Sequence, residues 1–347
     1  MNKEKLKQKS WEGVRISTIK DIAEKLNIST AAVSKALNNK EDVSIELKNR
    51  VKKTAEEMGY LPNEVAQKLA KNRNNSIGVF VLGIEEVGAA GYFGFKFLEG
   101  IIDTANKKKY EVVMFLGKEE ISYKKICEEK RVEGVIFIGL RRDDKYIEDI
   151  KNIKVPVVVI DQRIESFNIA YISSDNKLGV KKALNHLIEN GHKKIGILKA
   201  YKEAEISEKR YKAFKEHLEE KEIFDKKFIF NGDFTKKSGI IAGENIAELK
   251  EKPTALFCVS DLMAIGVIEG LKNKGIKVPE EISVIGFDNL NIGEFIVPDL
   301  TTIAQNGFKI GEEAVKSIIN RIENKVFFRN IEVEPELVIR SSCKKIK

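Results

Sequence analysis

From Ser76 onward the chain alternates short, nearly continuous apolar runs with longer amphipathic ones, and it does so twice. SIGVFVLG (76–83), EVVMFLG (111–117), VEGVIFIGL (132–140) and VPVVVIDQ (155–162) form a first set. KKIGILKA (193–200), KFIFNGDF (227–234), ALFCVSD (255–261) and ISVIGFD (282–288) form a second. A strand that is apolar on both faces has no wet side, so it belongs in a parallel sheet covered by helices above and below. Two successive sets predict two similar doubly wound α/β subdomains. Such sheets bind ligands outside the carboxyl ends of their strands. Gly83, Asp161, Asp261 and Asp288 stand at such ends, where two facing subdomains would line one cleft with them. A carboxylate ending an apolar strand is costly unless it meets water, a cap or a ligand.

The N-terminal segment has a different period. TIKDIAEKLNISTAAVSKAL (18–37) predicts two short helices joined by a tight turn. Ile22, Ala23 and Leu26 make one apolar face, and Ile28, Val33 and Leu37 another. Thr18 stands three residues before Asp21, the spacing of a capping box. Asn27 falls where the turn needs a left-handed residue, and Ser29 caps the second helix. Thr30, Ala31, Ser34 and Lys35 are left on the outer face of that helix. Helix, tight turn and polar-faced helix is the arrangement that enters a DNA major groove. A third helix is expected from a Ser44 cap to Met58, stopped by Gly59 and Pro62. NEVAQKLA (63–70) is too short to hold a helix alone, and KNRNN (71–75) reads as a linker.

Charge follows the same division. Residues 1–75 hold 16 basic and 10 acidic residues, a balance of +6; the other 272 hold 45 and 43, a balance of +2. Excess positive charge beside the two-helix segment suits phosphate contacts. No apolar run approaches the roughly 18–20 residues that span a bilayer. The basic N-terminus has no apolar core of a signal sequence, so a cytoplasmic protein without membrane contact is expected. Cys127, Cys258 and Cys343 are far apart with no CxxC pair, which reads as reduced structural cysteine.

These residues resemble the lac repressor/galactose repressor family of bacterial transcription factors. TIKDIAEKLNISTAAVSKALNNKEDVS and MGYLPNEVAQKLA carry the likeness at the N-terminus. ISSDNKLGVKKALNHLIENGHKKIGIL, SDLMAIGVIEGL, VPEEISVIGFDN, PDLTTIAQ and PELVIRSSC carry it through the rest, in family order. The resemblance implies an all-α helix-turn-helix headpiece, a hinge helix, and a core like periplasmic sugar-binding proteins. The expected division is a basic arm at 1–16, headpiece at 17–62, hinge and linker at 63–75, and core at 76–347. Within the core, one subdomain is expected over 76–161 and 291–322, the other over 163–289 and 326–343. Chain crossings would then fall near Asp161–Arg163, Asp288–Ile292 and Ile322–Phe327.

Carried over by position, the resemblance gives Thr30, Ala31 and Lys35 base contacts, with Thr18, Ser29, Ser34 and Asn38 around them. Many members have Arg where Lys35 stands, and lysine lacks its planar fork. Leu69 matches a leucine that wedges into the minor groove, with Asn63, Ala66 and Gln67 on the same short helix. Tyr92, Phe93, Asp161, Arg210, Phe234, Asp261 and Asp288 match cleft positions that would hold an effector, expected to be a carbohydrate. Carboxylates and arginine bind hydroxyls, and an aromatic face stacks on a sugar ring. The plain alternative for Phe93, Phe234 and Leu69 is core packing, and for Arg210 a solvated helix face. Ser260–Asp261 replaces the common Asn-Asp, Ala213 replaces Gly, and 84–92 is longer than usual without its Asn-Pro pair.

The expected partners are pseudo-palindromic double-stranded operator DNA, the effector and a second copy in a homodimer. A protein co-regulator docking on the core is the remaining partner that the reading admits. Only Lys-Lys-Ile-Lys follows Cys343, so no tetramer through a C-terminal coiled coil is expected. His186 and His192 lie six apart, which is not metal-pair spacing. No GxxxxGK[ST], no GxGxxG after a strand and no GxSxG occurs, so no catalytic residue, metal or cofactor is expected. The competing reading is a solute-binding or sugar-processing protein on the same α/β core, which would have no use for the headpiece.

Overall fold

The structure, a computed structural model, describes residues 17–60, 74–82, 89–116 and 122–346, with backbone alone at 89–93. The chain divides into two compact units, one up to Arg73 and one from Asn74.

Among the described residues, the first unit is three helices, each started by its own cap. Thr18 begins α1 (Ile19–Leu26): its hydroxyl accepts from the Asp21 N–H, and the Asp21 carboxylate accepts from the Thr18 N–H at 2.7 Å. Asn27 ends α1 in the left-handed conformation at φ 53°. Ser29 caps α2 (Thr30–Leu37), and Ser44 caps α3 (Ile45–Glu57). Gly59, at φ 62°, turns the chain out of α3. The apolar faces meet around Ile22, Val33, Ala36 and Val51, all fully buried. Ser17 Oγ donates to the Met58 carbonyl at 2.6 Å and ties the start of the unit to its end.

The second unit holds two six-stranded sheets. The first contains β1 (Ser76–Val81), β2 (Glu111–Leu116), β3 (Gly134–Ile138), β4 (Val157–Ile160), β5 (Ile169–Ser174) and β11 (Asn330–Val333), in the order β11-β5-β4-β3-β1-β2. The second contains β6 (Ile195–Lys199), β7 (Ile229–Asn231), β8 (Ala255–Cys258), β9 (Ser283–Asp288), β10 (Thr301–Ala304) and β12 (Glu336–Val338), in the order β12-β10-β9-β8-β6-β7. Every pairing is parallel except β10 with β12. β1, β3, β4, β5, β8 and β9 are buried along their whole length, as continuous apolar runs require. On the first sheet, helix Gly307–Ile322 packs against helix Ala89–Lys107. A Cβ at Gly100 would stand 2.0 Å from the Phe308 carbonyl oxygen, and one at Gly311 2.2 Å from that of Phe97.

The sheets differ from expectation in membership. Four further strands exist: β5, β10, β11 and β12. β5 pairs with β4 from Val157↔Ile169 to Ile160↔Ile172, so the chain has not left the first lobe at Asp161–Arg163. β10 lies beside β9 in the second sheet, so the return is not at Asp288–Ile292 either. β11 belongs to the first sheet beside β5, which moves the third crossing beyond Ile322–Phe327. The crossings fall at 174–176, 304–307 and 333–336. The first lobe is therefore about 74–174, 307–322 and 330–333, and the expected bounds at 163, 291 and 326 are corrected accordingly. Strand membership depends on which partner a strand finds across the sheet, and apolar periodicity does not carry that information.

Candidate functional site

In the first unit, α2 presents Thr30, Ala31 and Lys35 exposed, with Ser34 half-buried beside them and Asn38 exposed one turn on. Spacings of three and four residues put Ala31, Ser34, Lys35 and Asn38 on one stripe. The stripe exists because Val33 and Ala36 turn the opposite side into the core. Asn38 Nδ2 donates to the Ser34 carbonyl at 2.8 Å, fixing the end of the stripe. Thr18 and Ser29 are exposed at the helix starts, where their hydroxyls cap the backbone. Lys35 is paired with Asp42, and this hydrogen bond holds the Asp42 carboxyl below its ordinary value. Asn63, Ala66, Gln67 and Leu69 lie outside the described residues.

In the second unit, the strand ends meet between the two lobes. Arg210, on helix Glu205–Glu220 over the second sheet, is only 1% exposed. Its Nε donates to Asn176 Oδ1 at 2.7 Å and its Nη1 to the Val259 carbonyl at 2.6 Å. Its guanidinium lies 3.6 Å over the Phe287 ring, and Nη1 stands 3.7 Å from Asp288 Oδ1. Arg210 is thus an interior cation, and the alternative of a solvated helix face does not hold. Asp288 Oδ1 also accepts from Gln305 Nε2 at 2.6 Å. On the first lobe, Asp161 Oδ1 accepts from Ser173 Oγ at 2.7 Å, and Ser173 in turn accepts from Asn176 Nδ2 at 3.0 Å.

Burial is the dominant electrostatic influence here. It pushes the Asp288 carboxyl up to about 8, against the pull of Arg210, and it raises Asp161 in the same way. Five buried side-chain polar atoms have no hydrogen-bond partner among the described residues: Arg210 Nη2, Gln305 Oε1 and Gln162 Oε1, together with Ser76 Oγ and Glu208 Oε1 elsewhere. Unpaired groups of this kind cost free energy unless something occupies the site. Positive φ angles gather at the same strand ends: Asp161 66°, Phe234 68°, Asp288 127° and Asn289 55°. Strained backbone outside glycine is a common companion of ligand sites.

The remaining expected residues distribute unevenly. Phe234 is 9% exposed and meets Tyr201 edge-on at 5.2 Å. Arg141, from the loop after β3, lies 5.0 Å over the same Tyr201 ring and so reaches across from the first lobe. Asp261 is committed to the interior. Its Oδ1 accepts from Thr302 Oγ1 and its Oδ2 from the Leu290 N–H at 2.7 Å, and it is fully buried. It fastens β8 to the turn after β9, with one hydrogen bond already on each oxygen. Tyr92 and Phe93 fall on the backbone of helix Ala89–Lys107, with their side chains outside the described residues. Asn176 and Gln305 were not singled out from sequence. Gln305 carried a legible signal, since it follows the β-branched run TTI and Ala304 as Asp161 follows VVVI.

Two known families match this chain. Residues 18–63 match bacterial regulatory proteins of the lacI family, and residues 184–343 match a periplasmic binding protein-like domain. The chain is 33% identical over 335 residues to the HTH-type transcriptional repressor CytR of Escherichia coli K12, covering 94% of this chain and 96% of that protein. Its fold is similar to the lac repressor dimer bound to operator and the anti-inducer ONPF, with a TM-score of 0.80 at 23% identity, over 95% of this chain and all of that one. It is also similar to a LacI family transcriptional regulator from Enterococcus faecium with bound ribose, at TM-score 0.68 and 26% identity, over 78% of this chain and all of that one.

Proposed function

The chain belongs to the lacI family of bacterial regulatory proteins, and from that premise we propose a sequence-specific transcriptional repressor whose hold on operator DNA is set by a small molecule bound between the core lobes. The observation that carries the reading is one chain bearing both an exposed polar stripe on a capped recognition helix and a buried cleft with unpaired polar atoms. The stripe suits base edges. Ala31 and the Thr30 methyl fit thymine methyl groups, Lys35 reaches guanine O6 or N7, and Thr18, Ser29, Ser34 and Asn38 supply flanking contacts. Segment 63–70, with Asn63, Ala66, Gln67 and Leu69, forms its helix on operator, where Leu69 opens a base step. One headpiece reads one half-site, so the working form is a homodimer on a pseudo-palindrome, in the cytoplasm.

In the cleft, Asp161, Arg210, Asp288 and Gln305 hydrogen-bond the effector, with Phe234, Tyr92 and Phe93 as apolar walls. The effector class that fits is a sugar or sugar derivative, in keeping with the ribose in the Enterococcus faecium relative. No residue is assigned a catalytic role. The test is DNA binding across a salt series by the intact chain and by a truncated chain beginning at Ser76. The intact chain should bind with a steep salt dependence and the truncated one should not. Equal binding by both would place DNA recognition on the core and remove the repressor reading.

A further inference from the structure

Resting on the headpiece reading above, we propose that Lys35 and Asp42 act together as the reader of one G·C base pair, Lys35 set over guanine and Asp42 over cytosine. The end of α2 builds the pair. The Lys40 N–H donates to the Lys35 carbonyl at 3.1 Å, and the Asn39 N–H to that of Ala36 at 3.2 Å. Asn39 takes the left-handed conformation there, at φ 55°. This double closure turns the chain back past the last turn of the helix. Val43, buried in the three-helix core, pins the chain just beyond. Asp42 is thereby held beside Lys35, and its Oδ2 accepts from the lysine ammonium. Both side chains stay more than half exposed, at 55% and 56%, next to the stripe that Lys35 shares with Ala31, Ser34 and Asn38.

A lysine ammonium is three donors on a flexible stem, without the planar fork of arginine. Asp42 takes one of the three and gives the stem a direction. Two donors are left, and guanine offers two acceptors in the major groove, O6 and N7. The carboxylate keeps acceptor capacity beyond its bond to Lys35. Next to guanine O6, the cytosine of the same pair presents its N4 amino group. Donor beside acceptor on the protein thus meets acceptor beside donor on the DNA. The other pairs fail this match. In A·T the pyrimidine presents the O4 acceptor, which repels a carboxylate, and C·G brings the amino group under the lysine. An exposed ion pair adds little to folding stability; what it changes is the chemistry that the headpiece shows to a groove.

The experiment selects from a library of randomised duplexes with the intact chain, and repeats the selection with Lys35→Ala, Asp42→Ala and Asp42→Asn. The wild type should enrich an inverted repeat with a fixed G·C pair in each half, and Lys35→Ala should relax that pair, which locates it. Asp42→Ala should lower the preference for G·C over A·T at the same pair by at least about tenfold, the size of one good base contact, and leave the other positions as they were. Asp42→Asn should accept both pairs, because an amide donates to thymine O4 or accepts from cytosine N4. Fluorescence anisotropy on the enriched duplex and its A·T-substituted version measures the ratio for each chain. Damage to the headpiece would weaken every position together, so relaxation confined to one pair separates base reading from folding. A preference that Asp42→Ala leaves intact, or a relaxation at a pair that Lys35→Ala does not touch, overturns the proposal and leaves the repressor reading standing. A wild type that enriches no sequence overturns both.

Discussion

Asp288 is expected to lower the stability of the ligand-free core, and Asp288→Asn measures by how much. Burial lifts its carboxyl from 3.8 to about 8. Between those values the folded chain holds a proton that the unfolded chain has released, so stability falls as pH rises through this window. At pH 7 the interval above 3.8 is about three units, or about 4 kcal/mol at 1.36 kcal/mol per unit. Water entering the cleft reduces this, and a gain of about 2 kcal/mol is expected for the variant, since effective dielectric values even at buried sites sit far above that of dry protein. For a core of this size that gain raises the melting temperature by about 4–8 °C. Asparagine keeps the oxygen that accepts from Gln305 Nε2. The assay is calorimetric melting of both chains from about pH 5 to about pH 8. The variant's advantage should widen with pH, because only the wild type carries the titration. A variant that loses stability equally across the range would refute the reasoning. Asp288 would then be ionised and held by Arg210 in the empty cleft.

Other perturbations test separate parts of the molecule. Asp42→Ala removes the partner of Lys35; non-specific DNA affinity should rise and its salt slope should steepen by about one, read by fluorescence anisotropy at several ionic strengths. Gly100→Ala drives a methyl into the Phe308 carbonyl and should lower core stability by about 1–3 kcal/mol in urea unfolding, with DNA affinity per folded molecule unchanged. Leu69→Ala should weaken operator binding far more than binding to random DNA, because a wedge contributes only when the duplex bends; equal losses on both would remove the wedge from the account.

The parts of the fold that sequence made legible are those decided locally. Thr18, Asn27, Ser29 and Ser44 act on backbone groups within a few residues, so side-chain type and spacing were enough. β1 to β4 and β6 to β9 are apolar runs with turns at either end. β5, by contrast, reads IAYISS and could serve either lobe; only its pairing with β4 and β11 decides. The cleft divides in the same way. Asp161, Asp261 and Asp288 all end apolar strands, yet Thr302 and the Leu290 amide enclose Asp261, while Asp288 lies beside Arg210 and Asp161 reaches it through Ser173 and Asn176. Thr302 lies 41 residues away from Asp261, which is why the strand-end rule alone could not separate them.

The three chain crossings do more than join the lobes. Asn176 stands at the first and holds Arg210, while Gln305 stands at the second and holds Asp288. At the third, Glu334 and the Pro335 carbonyl both receive Lys182 of the second lobe. With three crossings joining them, the lobes cannot part without drawing on all three straps at once. In the proposed reading, a ligand held by Arg210 or Asp288 pulls directly on the first and second straps, through Asn176 and Gln305.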